Sequence, residues 1–452
     1  VARTWHLQLG IFWIATAWLG AGLFIAPAVG GGDPKGQKLG VNILFVALIV
    51  VVVGSLAGQW LSVKQKLGSD SLWFYFGHSG YEYIDLGRAW QIALLVGLFL
   101  WLFLVVRAIW PAMKRKDEQR PVLGLFLLSS AAIAGFYGAA LGYGQRTNLA
   151  IAEYWRWWVV HLWVEGFFEV FATVVIAFLF ARLKLVSLRT AGEASILSAT
   201  IFLGGGIIGT AHHLYFSGTP TMVLALGSVF SALEVVPLLF VGFEAWHNLK
   251  LCRKTEWVRM YRWPIYFFVA VAFWNLVGAG LFGFMINPPI ALYYMQGLNT
   301  TPVHGHAALF GVYGMLGIGL MLFVLRALAP ELKWREKLVA FSFWSINIGL
   351  MAMVVLSLLP VGLAQTWASV ESGYWYARSP EFLQTPVMDF LRWLRVPGDT
   401  LFAIGALTLV AFIISLGVHR PTRKARRSER AEREERLVTG PLPARKPLTE
   451  NP

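Results

Sequence analysis

The sequence predicts an all-α membrane protein, a polytopic transmembrane helix bundle of about 11 spans. Three observations carry this. Hydrophobic residues make up 57% of the 452 and charged residues only 14%, too few to cover a soluble surface. Apolar runs of about 20 residues, the length that crosses a bilayer, recur along nearly the whole chain. Basic residues gather in alternate short loops between those runs, as the positive-inside rule requires.

The spans fall at roughly 4–29, 40–62, 90–112, 121–142, 153–184, 192–216, 221–247, 263–285, 301–328, 338–362 and 399–417. Lys114, Arg115, Lys116 and Arg120 follow the third; Arg182, Lys184 and Arg189 follow the fifth. Lys250, Arg253, Lys254, Arg259 and Arg262 follow the seventh, and Arg326, Lys333, Arg335 and Lys337 the ninth. Arg423, Lys424, Arg426 and Arg427 open the tail. With eleven helices, all five regions share one side, expected to be cytoplasmic. The other side is expected to hold residue 1 and the segments 63–89, 143–152, 286–300 and 363–398, rich in Trp and Tyr, which favour membrane interfaces. Residues 1–417 read as one membrane domain, and 418–452 as a basic cytoplasmic tail without fixed structure. The net charge of +14 lies in these loops, so it speaks for membrane topology and not for a nucleic-acid partner. The single cysteine, Cys252, excludes a disulfide framework, a C-x-x-C-H haem attachment and a cysteine-rich metal site. Any metal must be held by histidine and carboxylate.

Six of the nine histidines fall within spans: His6, His161, His212, His213, His304 and His306. The topology puts all six in the outer half of the membrane at similar depth, on four separate helices. One imidazole in a bilayer can be an ordinary hydrogen-bonded residue; six on one level point to function. Helical geometry sorts them. His161 and Glu165 are four apart and share a face, with Glu169 one turn on. His212 and His213 are adjacent, about 100° apart, and can reach one metal together. His304 and His306 are about 200° apart and face two different centres. The sorting closes with His6 and His306 on a six-coordinate haem suited to electron transfer. His304 takes a second haem with an open face, and His161, His212, His213 and Glu165 take a third metal. Three imidazoles alone would suit copper or zinc; the carboxylate moves the preference towards iron.

The runs His161-Leu-Trp-Val-Glu165-Gly-Phe-Phe-Glu169, Gly209-Thr-Ala-His212-His213 and His304-Gly-His306 resemble the catalytic subunit of nitric oxide reductases, members of the haem–copper oxidase superfamily. The stretch Gly227–Glu234 is similar too, and the resemblance runs from residue 2 to about 417. It implies that His6 and His306 bind a low-spin haem b and His304 a haem b3. His161, Glu165, His212 and His213 would bind a non-haem iron. Glu169 and Glu234 would support the site and its proton supply, and Glu82 would lie near a calcium bridging haem propionates. The starts Trp5–Pro27 and Leu214–Pro220 resemble the quinol-dependent, single-subunit type. That type carries a further helix and an outer domain ahead of the region seen here. Together with the opening Val1, this leads us to expect an N-terminal region before residue 1. Asp399 would be a remnant of the quinol site. The implied activity is reduction of nitric oxide with quinol as donor, in a bacterial-type inner membrane; the resemblance also admits a homodimer. Oxidases of the superfamily carry a tyrosine where Glu165 stands, which argues against oxygen reduction. An oxygen-reducing quinol oxidase, an inert haem protein serving as electron carrier or gas sensor, and a transporter are the alternatives.

Overall fold

The computed structural model describes residues 1–78, 85–115, 119–164, 169–182, 188–233, 260–330 and 332–418. Among them, nine helices are long and apolar enough to cross a membrane. They are Ala2–Gly30, Gln37–Val63, Arg88–Lys114, Arg120–Leu141, Ser195–Leu214, Arg262–Ile286, Thr300–Leu328, Glu336–Ser372 and Pro386–Gly417. Two shorter apolar helices, Glu169–Leu179 and Thr221–Leu233, lie in the remaining two expected spans. The fold is therefore the expected all-helical membrane bundle. Extended pairing among the described residues is confined to one antiparallel bridge, His78–Leu86.

Large apolar side chains on the second span, among them Leu39, Phe45, Val46 and Val53, are exposed. In a bilayer this is the lipid-facing surface, where exposure to hydrocarbon carries no penalty. Helix ends have local causes. Gly31, at φ +102°, takes the left-handed cap after Pro27 and donates its N–H to the Pro27 carbonyl. At the basic ends of their spans, Arg262 and Glu336 pair at 2.8 Å and tie the eighth helix to the tenth.

Small residues set the closest approaches. A Cβ on Gly349 would lie 2.6 Å from the Phe402 backbone N, and one on Gly398 2.6 Å from that of Met353. The tenth and eleventh helices thus touch backbone to backbone. At the centre of the bundle, Trp18 is fully buried on the helix that carries His6. It donates its indole N–H to the Tyr313 carbonyl at 3.1 Å and packs on the rings of Tyr313 and Phe171.

The boundaries differ from expectation on the side expected to be outer. The tenth helix runs to Ser372 instead of 362, a length of 37 residues. At 1.5 Å per residue that is about 55 Å, far more than the roughly 30 Å of hydrocarbon, so it continues beyond the membrane core. The expected outer loop after it is mostly helical as well, with Pro380–Leu383, Pro386–Trp393 and the start of Arg395–Val418. Asp399 consequently sits one turn inside a helix and not at its first residue. The tail 419–452 lies outside the described residues.

Candidate haem and metal centre

His161 sits in Trp158–Trp163, which winds as a π-helix, a wider turn that recurs at functional sites. His212 and His213 sit in Thr210–Leu214, a 3₁₀ turn that closes their span. Helix ends tighten this way to satisfy their last carbonyls. The 3₁₀ winding separates adjacent side chains by about 120°, not the 100° expected of an α-helix. Gly227 makes room for this turn, since a Cβ there would lie 2.5 Å from the His212 backbone N.

The three imidazoles converge, with one nitrogen from each lying within 4.8 Å of the others. His213 Nε2 and His161 Nδ1 are 3.2 Å apart. Two nitrogens bound to one ion at about 2.0–2.1 Å in tetrahedral geometry would be about 3.3 Å apart. His212 Nδ1 is buried with no hydrogen-bond partner among the described residues. A buried nitrogen without a partner is costly unless something else takes its lone pair. Geometry and donor chemistry both fit a metal ion. Supports surround the triad. Trp157 stacks on His213 at 3.8 Å between centroids and 4° between planes. The Trp157 indole N–H donates to Glu153 at 3.1 Å, and Glu153 pairs with Arg156 at 2.8 Å. Gln296 donates to the His213 carbonyl at 2.9 Å and is itself held by Tyr374.

The other three histidines behave differently. His304 lies in the last turn of the α-helix Thr300–Gly305, and His306 begins the π-helix His306–Gly314. Each places Nδ1 at 2.9 Å from a carbonyl, Gly278 for His304 and Pro302 for His306. A carbonyl can only accept, so Nδ1 carries the proton and Nε2 keeps a lone pair for a metal. The ring centroids of His6 and His306 are 6.2 Å apart and their planes 26° from parallel. Two metal–nitrogen bonds of about 2.0–2.1 Å plus the two half-rings come to about that separation. In spacing, the pair fits two imidazoles on one haem iron. The Arg395 guanidinium donates to His306 Nε2 at 3.1 Å, the lone pair an iron would use, so haem binding must displace this contact. Arg395 also holds both oxygens of Asp399, at 3.1 and 3.0 Å, which brings Asp399 to the edge of the His6–His306 pair. Gly283 leaves space for His304, with a Cβ there 3.1 Å from its Cε1.

Glu82, Glu165 and Glu234 lie outside the described residues. Glu169 accepts a 2.6 Å hydrogen bond from Tyr313. Sequence reasoning missed Trp157, Arg395, Tyr313 and Gly278. The Trp-Arg-Trp-Trp run just ahead of His161 was visible, but reads equally well as an interfacial aromatic belt.

Comparison with known proteins places this geometry in a family. The model for the family described as cytochrome c and quinol oxidase polypeptide I matches residues 1–401. The chain belongs to this family. The family is that of the haem–copper oxidases, a membrane-bound group of oxidoreductases, and it implies haem and metal cofactors in a multi-pass membrane protein. Within it, the chain is 26% identical over 431 residues to a nitric oxide reductase subunit of Stutzerimonas stutzeri, covering 92% of this chain and 85% of that one. It also shares its fold with a haem–copper terminal oxidase dimer solved by cryo-EM, at a TM-score of 0.53 and 14% identity, over 92% of this chain and 85% of the other.

Proposed function

We propose that this member of the haem–copper oxidase family reduces nitric oxide, joining two NO into N2O and water. The reading rests on one observation above all. His161, His212 and His213 converge on a point, with Glu165 four residues after the first, in a chain 26% identical to the nitric oxide reductase subunit of Stutzerimonas stutzeri. An oxygen-reducing site of the superfamily has a tyrosine at the Glu165 position, so the carboxylate favours NO. The reaction consumes two electrons and two protons for each pair of NO molecules.

His161, Glu165, His212 and His213 would hold a non-haem iron, His304 a haem b3, and His6 with His306 a low-spin haem b. When bound, these groups would supply the electrons and the Lewis acidity that the N–N coupling needs. The protein's own residues do the rest. The carbonyls of Gly278 and Pro302 fix the tautomers of His304 and His306, and Trp157 fixes the plane of His213. Apolar NO arrives through lipid. Protons do not cross hydrocarbon, so Glu165, Glu169 and Glu234 serve as their carriers. Quinol is the donor in this reading, with Asp399 at its site, and Glu82 lies by a calcium between haem propionates.

Quinol-driven consumption of NO and of O2, measured side by side with metal counts per chain, tests the reading. The expected result is NO turnover well above O2 turnover, with two haems and one non-haem iron. Preferential O2 consumption, stoichiometric copper or missing non-haem iron would each sink it.

A further inference from the structure

Tyr313 stands apart from every residue assigned above. It lies seven residues past His306 and nine past His304, and Glu169 lies eight past His161. In sequence these offsets run towards the basic ends expected of both spans. Side chains lean back towards a helix's N-terminus, here the imidazole end of both segments. Between the two helices, the Tyr313 hydroxyl donates to Glu169 Oε1 at 2.6 Å. The second oxygen, Oε2, is buried with no partner among the described residues.

The donor is buried and held by Trp18 at both its backbone and its ring. Tyr313 is 4% exposed. Its carbonyl takes the Trp18 indole N–H, and its ring meets Trp18 edge-on at 5.9 Å between centroids. Trp18 in turn packs on Phe171, two residues past Glu169. A purely structural carboxylate in such a place would have both oxygens satisfied, because an unpaired buried oxygen destabilises the fold. A tyrosine clamped on one oxygen with the other left open is instead an arrangement for taking up and passing a proton.

We propose that Tyr313 is the positioning residue of Glu169, fixing Oε1 by hydrogen bond so that Oε2 is the oxygen that gains and releases the proton. Protonation turns the carboxylate into a neutral acid at Oε2, and release restores it; no electron moves. This rests on the NO-reduction reading for its turnover arm only.

The test uses Tyr313→Phe in the haem-loaded, full membrane protein. Infrared difference spectra should contain a carboxylic C=O band that Glu169→Gln removes and Tyr313→Phe shifts. NO turnover should lose about tenfold in kcat, roughly 1.4 kcal/mol in the barrier, with KM for NO unchanged. Wild-type band position and kcat in Tyr313→Phe would overturn the proposal. Should the variant lose its haems, ring-labelled tyrosine in a chain that keeps Tyr313, with and without Glu169→Gln, answers the same question. Glu169→Gln must then shift one tyrosine C–O band, and an unshifted spectrum overturns the proposal. A wild-type protein that shows the bands but reduces no NO would refute the function above and leave the positioning role standing.

Discussion

The Nδ1 of His212 is a buried nitrogen without a partner among the described residues, beside two other imidazoles whose nitrogens are 3.2 Å apart. Removing it should take away the third metal and little else, because it belongs to none of the bonds that hold His6, His304 or His306. We expect His212→Ala to retain both haem spectra, to lose the non-haem metal and to drop turnover to background. Metal counts per chain, read against the reduced-minus-oxidised spectrum, check this; full metal occupancy would remove His212 from the ligand set. Trp157 makes a graded version of the same case. Its near-parallel stack on His213 fixes the plane of a ligand, and outer partners of metal ligands are worth about 10–100-fold in affinity. Trp157→Ala should weaken metal retention by that factor in a chelator competition, and Trp157→Phe by much less, since the ring survives. Equal loss in both variants would mean that the indole acts through Glu153 and not through stacking.

At the scale of elements, the eighth and ninth helices meet where both turn π-helical, at Asn275–Phe282 and His306–Gly314. Gly278 lies at that contact. A Cβ there would approach the Ala307 carbonyl carbon at 2.6 Å and its oxygen at 2.7 Å. Those are backbone atoms and cannot swing aside. Gly278 also offers the carbonyl that orients His304. Gly278→Ala should therefore cost about 1–3 kcal/mol by overpacking and disturb the high-spin haem before the low-spin one. Thermal unfolding in detergent and the two haem bands measure the two effects separately; an unchanged high-spin band would uncouple Gly278 from His304. Such contacts were not legible in the sequence. The apolar runs announced spans because hydrocarbon length and backbone satisfaction leave a helix few alternatives. Nothing in the residues around His306 separates an i→i+5 turn from an i→i+4 turn, since packing chooses between them. The overrun of the tenth helix to Ser372 was hidden for a related reason. Its polar last turns contain Gln365 and Ser369, both buried against neighbouring segments, and hydropathy alone ends the span earlier.

For the whole molecule, depth was the legible quantity. His161 and the His212–His213 pair are 51 residues or more apart in sequence, and the alternation of spans between them brings them to one level. That they converge supports the count of alternations between them. The pairing of Tyr313 with Glu169, by contrast, spans 144 residues and two helix faces, and no local pattern encodes it. The same topology makes a claim about sidedness. Arg326, Lys333, Arg335 and Lys337 cluster between the ninth and tenth helices, and the segment 286–300 on the opposite side has no Lys or Arg. Under the positive-inside rule, five basic regions on one side predict a single orientation. Cys252, the only cysteine in the chain, falls in one of them. A membrane-impermeant maleimide should therefore label it in inside-out vesicles and not in right-side-out ones. A cysteine placed at Ser217, in the turn beyond His213, should label in the reverse pattern. Labelling of both from the same side would mean that the helix count between them is wrong. The shared depth of His161, His212, His213, His304 and His306 would then lose its basis in topology.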